Sequence, residues 1–193
     1  LERILAFLNG TRDVYQTDLF APVIAYIEEA SGVKYNADEK LTRSMRILAD
    51  HLRTSVMLIG DEAKLLPSNT GAGYILRRLI RRAVRHGRTL NMTTEQLLHI
   101  AAIYAESYPL MKKNREFILS ELQKEIARFE STLENGMKEL QKILEQKRSE
   151  GKKEIDGKSA FYLYDTFGFP LELTVELAQE ENLTVDEEGF AAA

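Results

Sequence analysis

Apolar residues recur every three or four positions along almost the whole chain, which predicts an all-α fold. The clearest stripe runs through a helix expected over about 37–59. Its members are Leu41, Met45, Leu48, Leu52, Val56 and Ile59. Before it, Leu1, Ile4, Leu5 and Leu8 mark a short helix ended by Asn9 and Gly10. A second helix is expected from about Val14 to Ala30, closed by Ser31 and Gly32, and Pro22 is tolerated in it if the helix proper begins near Asp18 or Leu19.

The longest periodic run, about 114–146, predicts a single long strut helix. Its apolar positions follow an eleven-residue repeat, which favours a nearly straight helix. They are Ile118, Leu122, Ile126, Phe129, Leu133, Met137, Leu140 and Leu144. Residues 147–158 are expected to form a polar loop, and the segment after them two or three short helices. There Gly168 ends the first, Pro170 starts the second, and the stretch from Thr184 to Glu187 is a capping box for a third.

This pattern divides the chain into a helical subdomain at 1–110 and a second part at 111–193. The first part would contain the most basic helix of the chain, preceded by a further helix and followed by one that begins near Thr93 and ends before Pro109. The second part would contain the long strut and a short C-terminal helical subdomain.

The stretch 66–88 opens with a turn and continues as a helix that carries six arginines and no acid. Pro67, Gly71 and Gly73 mark the turn, and Ser68, Asn69 or Thr70 can cap the helix with a side-chain oxygen. At about 100° per residue, the arginines occupy one side and the apolar residues the other. The two sets are Arg77, Arg78, Arg81, Arg82, Arg85 and Arg88, and Leu76, Leu79, Ile80, Ala83 and Val84.

Six like charges on one helix repel each other unless acidic or anionic groups face them. Guanidinium groups bind phosphate and carboxylate in a bidentate manner, and a basic face is typical of a nucleic-acid contact. A solvated face, or pairing of some arginines with the chain's own glutamates, is the alternative. We expect at least two of these arginines to contact phosphate.

Composition limits the further possibilities. With 193 residues, 44% hydrophobic residues and a net charge of −4, the chain is expected to be a soluble globular protein whose basic patch is local. The chain has no cysteine, which favours a reducing, cytoplasmic location. Three scattered histidines predict no metal cluster, and no apolar run predicts a membrane segment.

No catalytic constellation is legible in the sequence: Gly71 and Gly73 do not extend to a dinucleotide or phosphate-binding loop. Two hypotheses from different classes therefore remain. One is a helical nucleic-acid-binding module, and the other is a helical protein–protein scaffold whose arginines dock an acidic partner. The salt dependence of RNA affinity distinguishes them.

Five blocks resemble, in order, successive segments of bacterial-type alanyl-tRNA synthetases. They read LERILAFLNG, YQTDLFAPVI, RILADHLRTSVMLIGD, LPSNTGAGYILRRLIRRAVRHG and FYLYDTFGFPLELTVELA. The resemblance covers nearly the whole chain. It implies a helical tRNA-recognition region that follows the class II catalytic core, with most of that core and the zinc-bearing editing domain outside the chain. The parent protein would be a cytoplasmic ligase of protein biosynthesis that attaches alanine to tRNA using ATP.

The resemblance also implies roles for individual residues. Asn69 and Asp165 would read the G·U pair at the third position of the tRNA acceptor stem, with the arginines on phosphates. Arg3 matches an ATP-binding arginine of the family, although this chain alone is expected to have no catalytic residue and no cofactor. ATP with magnesium, and zinc, would belong to the parent, whose own catalytic and editing domains are further expected partners. DNA and membranes are not expected partners.

Physical chemistry fits this assignment. The wobble guanine leaves its exocyclic amine exposed in the shallow minor groove of A-form RNA. A carboxylate accepts a hydrogen bond from that amine, and an amide both donates and accepts. We therefore expect Asn69 and Asp165 to come close together in space. The chain departs from the family beside Asn69, where Ala72 replaces the arginine of the usual Gly-Arg-Gly, and in the turn after Ile59, where Gly60 and Asp61 stand.

Overall fold

The computed structural model describes residues 2–193, with the exception of the Leu133 side chain. The expected contributions of Leu1 and Leu133 to the apolar pattern therefore lie outside the described residues. Over the described part, the chain forms ten α-helices, one 3-10 turn and two strands of two residues each. The all-α prediction is confirmed. None of the helices described is both long and apolar enough to cross a lipid bilayer.

The chain divides into two compact units. The first ends at Ile126 and the second comprises Ala127–Ala193, whereas the sequence pattern placed the division after residue 110. The boundary falls inside the longest helix, α7 (Arg115–Ser149), so the beginning of this helix belongs to the first unit.

Six helices precede α7 in the first unit. They are α1 (Glu2–Leu8), α2 (Ala21–Ser31), α3 (Glu39–Gly60), α4 (Gly71–Thr89), α5 (Thr94–Ser107) and α6 (Pro109–Lys113), and a 3-10 turn at Val14–Gln16 separates the first two. The capping box expected at the start of α5 is present, since Thr93 and Gln96 exchange side-chain and backbone hydrogen bonds. The short helix α6 was not predicted from the sequence.

The expectation of one helix from Val14 to Ala30 was wrong. Asp13 caps the 3-10 turn by accepting a hydrogen bond from the Tyr15 N–H at 3.0 Å, and the Thr17 hydroxyl donates to the Val14 carbonyl at 2.6 Å. The chain then restarts as α2, with Pro22 in the first turn, where a missing N–H has no cost. Gly32 closes α2 in a left-handed conformation with φ of 73°.

Helices α3 and α4 form the centre of the first unit. The predicted stripe of α3 is fully buried from Met45 to Ile59, and each such aliphatic side chain contributes about 1.5–3 kcal/mol when buried. On α4, the apolar face is buried as predicted, apart from Leu79, which is half-buried. His86 lies between the two helices, with its Nδ1 3.1 Å from the Ser44 hydroxyl. This packing presents the opposite side of α4 to the beginning of α7.

The second unit contains the rest of α7 and the C-terminal segment. Its elements are β1 (Glu154–Ile155), α8 (Gly157–Phe167), α9 (Leu171–Glu180), β2 (Thr184–Val185) and α10 (Glu187–Ala192), and the two strands pair in parallel. Position 136, inside α7, is occupied by glycine, and a Cβ there would stand only 2.6 Å from the ring of Phe169. The absence of a side chain therefore lets Phe169 pack directly on the helix.

Two details of this unit differ from the sequence prediction. The expected polar loop at 147–158 instead contains the end of α7, the strand β1 and the start of α8. The capping box at Thr184 is wrong, because Thr184 belongs to β2 and Asp186 caps α10 by accepting from the Gly189 N–H at 2.8 Å. The predicted end of one helix at Gly168, now α8, and the predicted start of the next at Pro170, now α9, are confirmed.

Candidate nucleic-acid interface

The turn that precedes α4 folds back onto the first turn of the helix. The Ser68 hydroxyl donates to the Thr70 carbonyl at 2.8 Å, and the Ser68 N–H donates to the Gly73 carbonyl at 3.1 Å. A Cβ at Gly73 would collide with the Leu66 carbonyl oxygen and with the Ser68 side chain, so only glycine allows this approach. The turn is thereby fixed to the helix by backbone contacts.

The capping role expected for this turn was wrong. Thr70 occupies the position before the helix but makes no side-chain capping hydrogen bond. Asn69, which is exposed, accepts a hydrogen bond from Nη1 of Arg77 through its Oδ1. The side chain of Asn69 is therefore bound to an arginine two turns into α4 and not to the free N–H groups of the helix.

Arg77 and Arg81 meet one buried glutamate of α7. Glu125 has a side chain only 2% exposed, and its Oε1 lies 3.0 Å from Nε of Arg81 and 3.2 Å from Nε of Arg77. Only the Arg81 group is aligned for a hydrogen bond, and Oε2 of Glu125 is buried without a hydrogen-bond partner among the described residues. Burial lowers the pKa of Arg81, and the Glu125 carboxylate opposes this shift. Glu125 thus neutralises part of the predicted basic face.

The other arginines of α4 differ in exposure. Arg78 is exposed, and its guanidinium lies 6.0 Å from the ring centroid of Tyr74 on the same helix. Arg82 and Arg85 are half-buried, and Arg88 is exposed at the end of α4. The six arginines therefore fall into two groups. Two of them pair with Glu125, and the other four range from half-buried to exposed.

Asp165 lies in the last turn of α8, in the second unit, and its side chain is exposed. The cap of this helix is Asp156, whose carboxylate accepts from the Ser159 N–H at 2.9 Å. Asp165 has no hydrogen bond or ion pair with any described residue. An acid near a helix C-terminus is electrostatically unfavourable, because the free carbonyl groups there carry partial negative charge. The structure places Asn69 and Asp165 in different units, and their expected proximity stays a prediction.

Arg3, the expected ATP contact, is exposed on α1. Among the described residues, no group of three or more histidine, cysteine, aspartate or glutamate side chains could hold a metal ion.

A family model described as class II tRNA synthetases (A) matches residues 1–193. The chain belongs to the class II tRNA synthetase family. Its relatives include an alanine–tRNA ligase of Nostoc punctiforme, 44% identical over the whole of this chain and 22% of the relative. An alanine–tRNA ligase of Prochlorococcus marinus is 46% identical over 98% of this chain and 21% of the relative. One of Treponema pallidum is 42% identical over all of this chain and 33% of its own length.

The chain therefore spans a fifth to a third of these curated relatives. Within this family member, the residue that sequence reasoning missed is Glu125. A signal was present, because Glu125 lies three residues after Leu122 and four before Phe129, on the apolar stripe of α7. An acid at such a position requires a cationic partner, and the nearby arginine-rich helix supplies two.

Proposed function

We propose that the chain is the helical tRNA-recognition region of an alanine–tRNA ligase and that it reads the acceptor stem of its tRNA. The observation that carries this proposal is the exposed Asn69 side chain, held by Arg77 at the start of an arginine-rich helix. The family match and the names of the relatives support tRNA as the partner.

Two polar side chains provide sequence recognition in this proposal. Asn69 and Asp165 contact the third base pair, a G·U pair, and the carboxylate of Asp165 accepts from the exocyclic amine of guanine. The exposure of Asp165 and its lack of a partner among the described residues support this role, because reading a base edge requires an accessible acceptor. Few side chains are needed, since base contacts specify while phosphate contacts supply affinity.

The phosphate contacts come from the arginines of α4. Arg78 is the strongest candidate because it is exposed, and Arg82 and Arg85 lie on the same side of the helix half-buried. Arg77 and Arg81 approach RNA, in this proposal, with their guanidinium groups already paired to Glu125. Their replacement should therefore affect stability as well as RNA affinity.

The test is a titration of the 193-residue chain with acceptor-stem microhelices that carry G·U or G·C at the third pair. The wild-type chain should prefer G·U. Asp165→Ala should remove about 1–3 kcal/mol of this preference, by analogy with base-edge contacts on DNA. Glu134→Gln, which changes an exposed acid of the same unit, is the matched control and should leave the preference intact.

Arg78→Gln tests the phosphate contacts separately. It should weaken both microhelices equally and reduce the slope of log K against log salt by about one. Equal affinity of the wild-type chain for G·U and G·C would contradict the proposal. No RNA binding at low salt would favour instead a scaffold that docks an acidic protein.

A further inference from the structure

The side chain of Asn69 belongs to a chain of contacts that begins in the interior of the first unit. Arg77 donates from Nη1 to Oδ1 of Asn69, and the same guanidinium has its Nε 3.2 Å from Oε1 of Glu125. Glu125 is 2% exposed and Arg77 is 17% exposed, whereas Asn69 lies at the surface. Three residues from a loop, α4 and α7 thus connect a buried carboxylate to an exposed amide.

The chemistry of arginine determines which end of the Asn69 amide faces the solvent. A guanidinium has five N–H donors and no acceptor, so only the amide oxygen of Asn69 can face it. The NH2 group is then directed away from Arg77. Asn69 therefore directs its two N–H donors away from Arg77, and one of the two lone pairs of its oxygen is already engaged by Arg77.

Glu125 is what gives this arrangement a fixed position. An arginine side chain has several rotatable bonds and normally loses considerable entropy when it is held in one conformation. Here Nε of the Arg77 guanidinium forms an ion pair with Oε1 of a buried carboxylate at 3.2 Å without hydrogen-bond alignment, and Arg81 donates to the same oxygen at 3.0 Å. The outer Nη1 is consequently fixed at the surface, where Asn69 lies.

We propose that Glu125 is a positioning residue for RNA recognition, which acts through Arg77 to present the Asn69 amide as a hydrogen-bond donor. This inference rests on the proposed function. It further specifies the RNA group that Asn69 contacts: an acceptor, such as a uracil carbonyl oxygen, a guanine N3 or a ribose 2′-oxygen. The exocyclic amine of guanine is itself a donor and is left to Asp165.

The first experiment observes Asn69 without RNA. The 1H–15N heteronuclear NOE of its side-chain NH2 group should be that of an ordered group in the wild-type chain. Glu125→Gln keeps the shape of the side chain and removes its charge, and it should reduce this NOE towards the value of a mobile surface amide. Glu121→Gln, one turn earlier on α7 and paired with Lys124 at 2.5 Å, is the matched control and should change nothing.

The second experiment measures the preference for G·U over G·C. Glu125→Gln should reduce it about tenfold, by analogy with residues that orient the ligands of metal sites. In an Asn69→Ala background, Glu125→Gln should have no further effect on the preference. An equal loss in both backgrounds would show that Glu125 acts through general stability and would overturn the proposal.

Two arginine variants distinguish a specific effect on Asn69 from a general loss of folding. Arg77→Lys and Arg81→Lys both keep a positive charge beside Glu125, but Arg81 lies one turn further along α4 from Asn69. Arg77→Lys should mobilise the Asn69 amide and reduce the preference, because lysine cannot bridge two acceptors with a planar fork. Arg81→Lys should weaken both microhelices equally and leave the Asn69 amide ordered. Equal effects of the two variants on the NOE would contradict the proposal.

Inosine in place of the guanine tests the assignment of the two readers, because inosine lacks the exocyclic amine. With an I·U microhelix, Asp165→Ala should have no effect on affinity, whereas Asn69→Ala should keep its full effect. The reverse result would place Asn69 on the amine and overturn the donor assignment. If the wild-type chain shows no G·U preference, the proposed function fails, while the NOE still decides whether Glu125 positions Asn69.

Discussion

The two proposed readers of the base pair are held in opposite ways. Asn69 is bound to Arg77, which in turn lies against a carboxylate buried in the first unit. Asp165 is exposed at the end of α8 and has no hydrogen bond or ion pair with any described residue. Asn69 is therefore connected through Arg77 to the interior of the first unit. Asp165 is an exposed carboxylate on α8 and makes no such contact within the described chain.

This difference follows from the chemistry of the two groups. An amide can face RNA with either its donors or its acceptor, so a protein that uses it for recognition gains by fixing its orientation. A carboxylate offers acceptors in every orientation and needs no such support. Mutations around Asn69 should therefore change stability and recognition together, whereas mutations around Asp165 should separate the two.

The largest effect should follow Gly73→Ala, which breaks the turn that carries Asn69. The new Cβ would collide with the Leu66 carbonyl oxygen and would lie 2.9 Å from the Ser68 Cβ. Overpacking of this kind costs about 3 kcal/mol, and the higher helix propensity of alanine returns about 1 kcal/mol. We expect a net loss of about 2 kcal/mol in the free energy of unfolding, measured by denaturant titration, together with loss of the G·U preference.

Gly71→Ala is the matched control for this change. Gly71 has φ of +59°, but a Cβ there would meet nothing within 4 Å. Its cost is the backbone strain alone, about 1 kcal/mol. A Gly71 variant less stable than the Gly73 variant would show that the close approach of the turn to α4 is not what limits residue 73.

An intermediate effect should follow Asp156→Asn, which changes the other aspartate of α8. The Lys147 ammonium, 2.6 Å from the Asp156 carboxylate, holds the pKa of that carboxyl well below its ordinary value. Because asparagine caps a helix about as well as aspartate, the substitution removes mainly the ion pair. Asp156 is 49% exposed, so solvent screening limits the expected loss to about 1 kcal/mol at pH 7.

The pH dependence of this difference has a definite sign. A carboxyl whose pKa is lower in the folded protein contributes its stability above the unfolded pKa of about 3.9. The contribution disappears as the pH falls through the lower, folded value. The wild-type chain should therefore lose its advantage over Asp156→Asn in acid, as measured by hydrogen exchange of the α8 amides. Asp186→Asn, which changes the aspartate that caps α10, is the matched control for replacement of a capping aspartate.

Much of this architecture could be predicted from periodicity, but the contacts of the site could not. The stripe of α3 and the apolar face of α4 are visible in the sequence because each lies within one helix. The pairing of Arg77 and Arg81 with Glu125 joins residues 44 or more positions apart, and the chain has many glutamates to choose from. Only the position of Glu125 on the apolar stripe of α7 distinguished it.

Two helix caps predicted from local sequence were also wrong. Ser68, Asn69 and Thr70 all suit a cap, yet the turn folds back on Gly73 and directs Asn69 to Arg77. Thr184 and Glu187 fit a capping box, but the parallel pairing of β1 with β2 uses Thr184 and leaves the cap to Asp186. In both places a tertiary contact outweighed a local preference.

The smallest effect on stability, and the one that most sharply separates the two readers, should follow Asp165→Asn. The last turn of a helix carries partial negative charge, so an exposed acid there is unfavourable by a few tenths of a kcal/mol. Removal of the charge should leave the free energy of unfolding unchanged or raise it by about 0.3 kcal/mol. The same variant should lose most of the G·U preference, because an amide no longer offers two acceptors to the guanine amine. Denaturant titration and microhelix binding measured on one preparation provide both values. A variant that loses stability as Asp156→Asn does, and keeps its preference, would make Asp165 a structural residue of α8. The combination of unchanged stability with lost discrimination is expected only of a side chain whose partner lies outside the described chain.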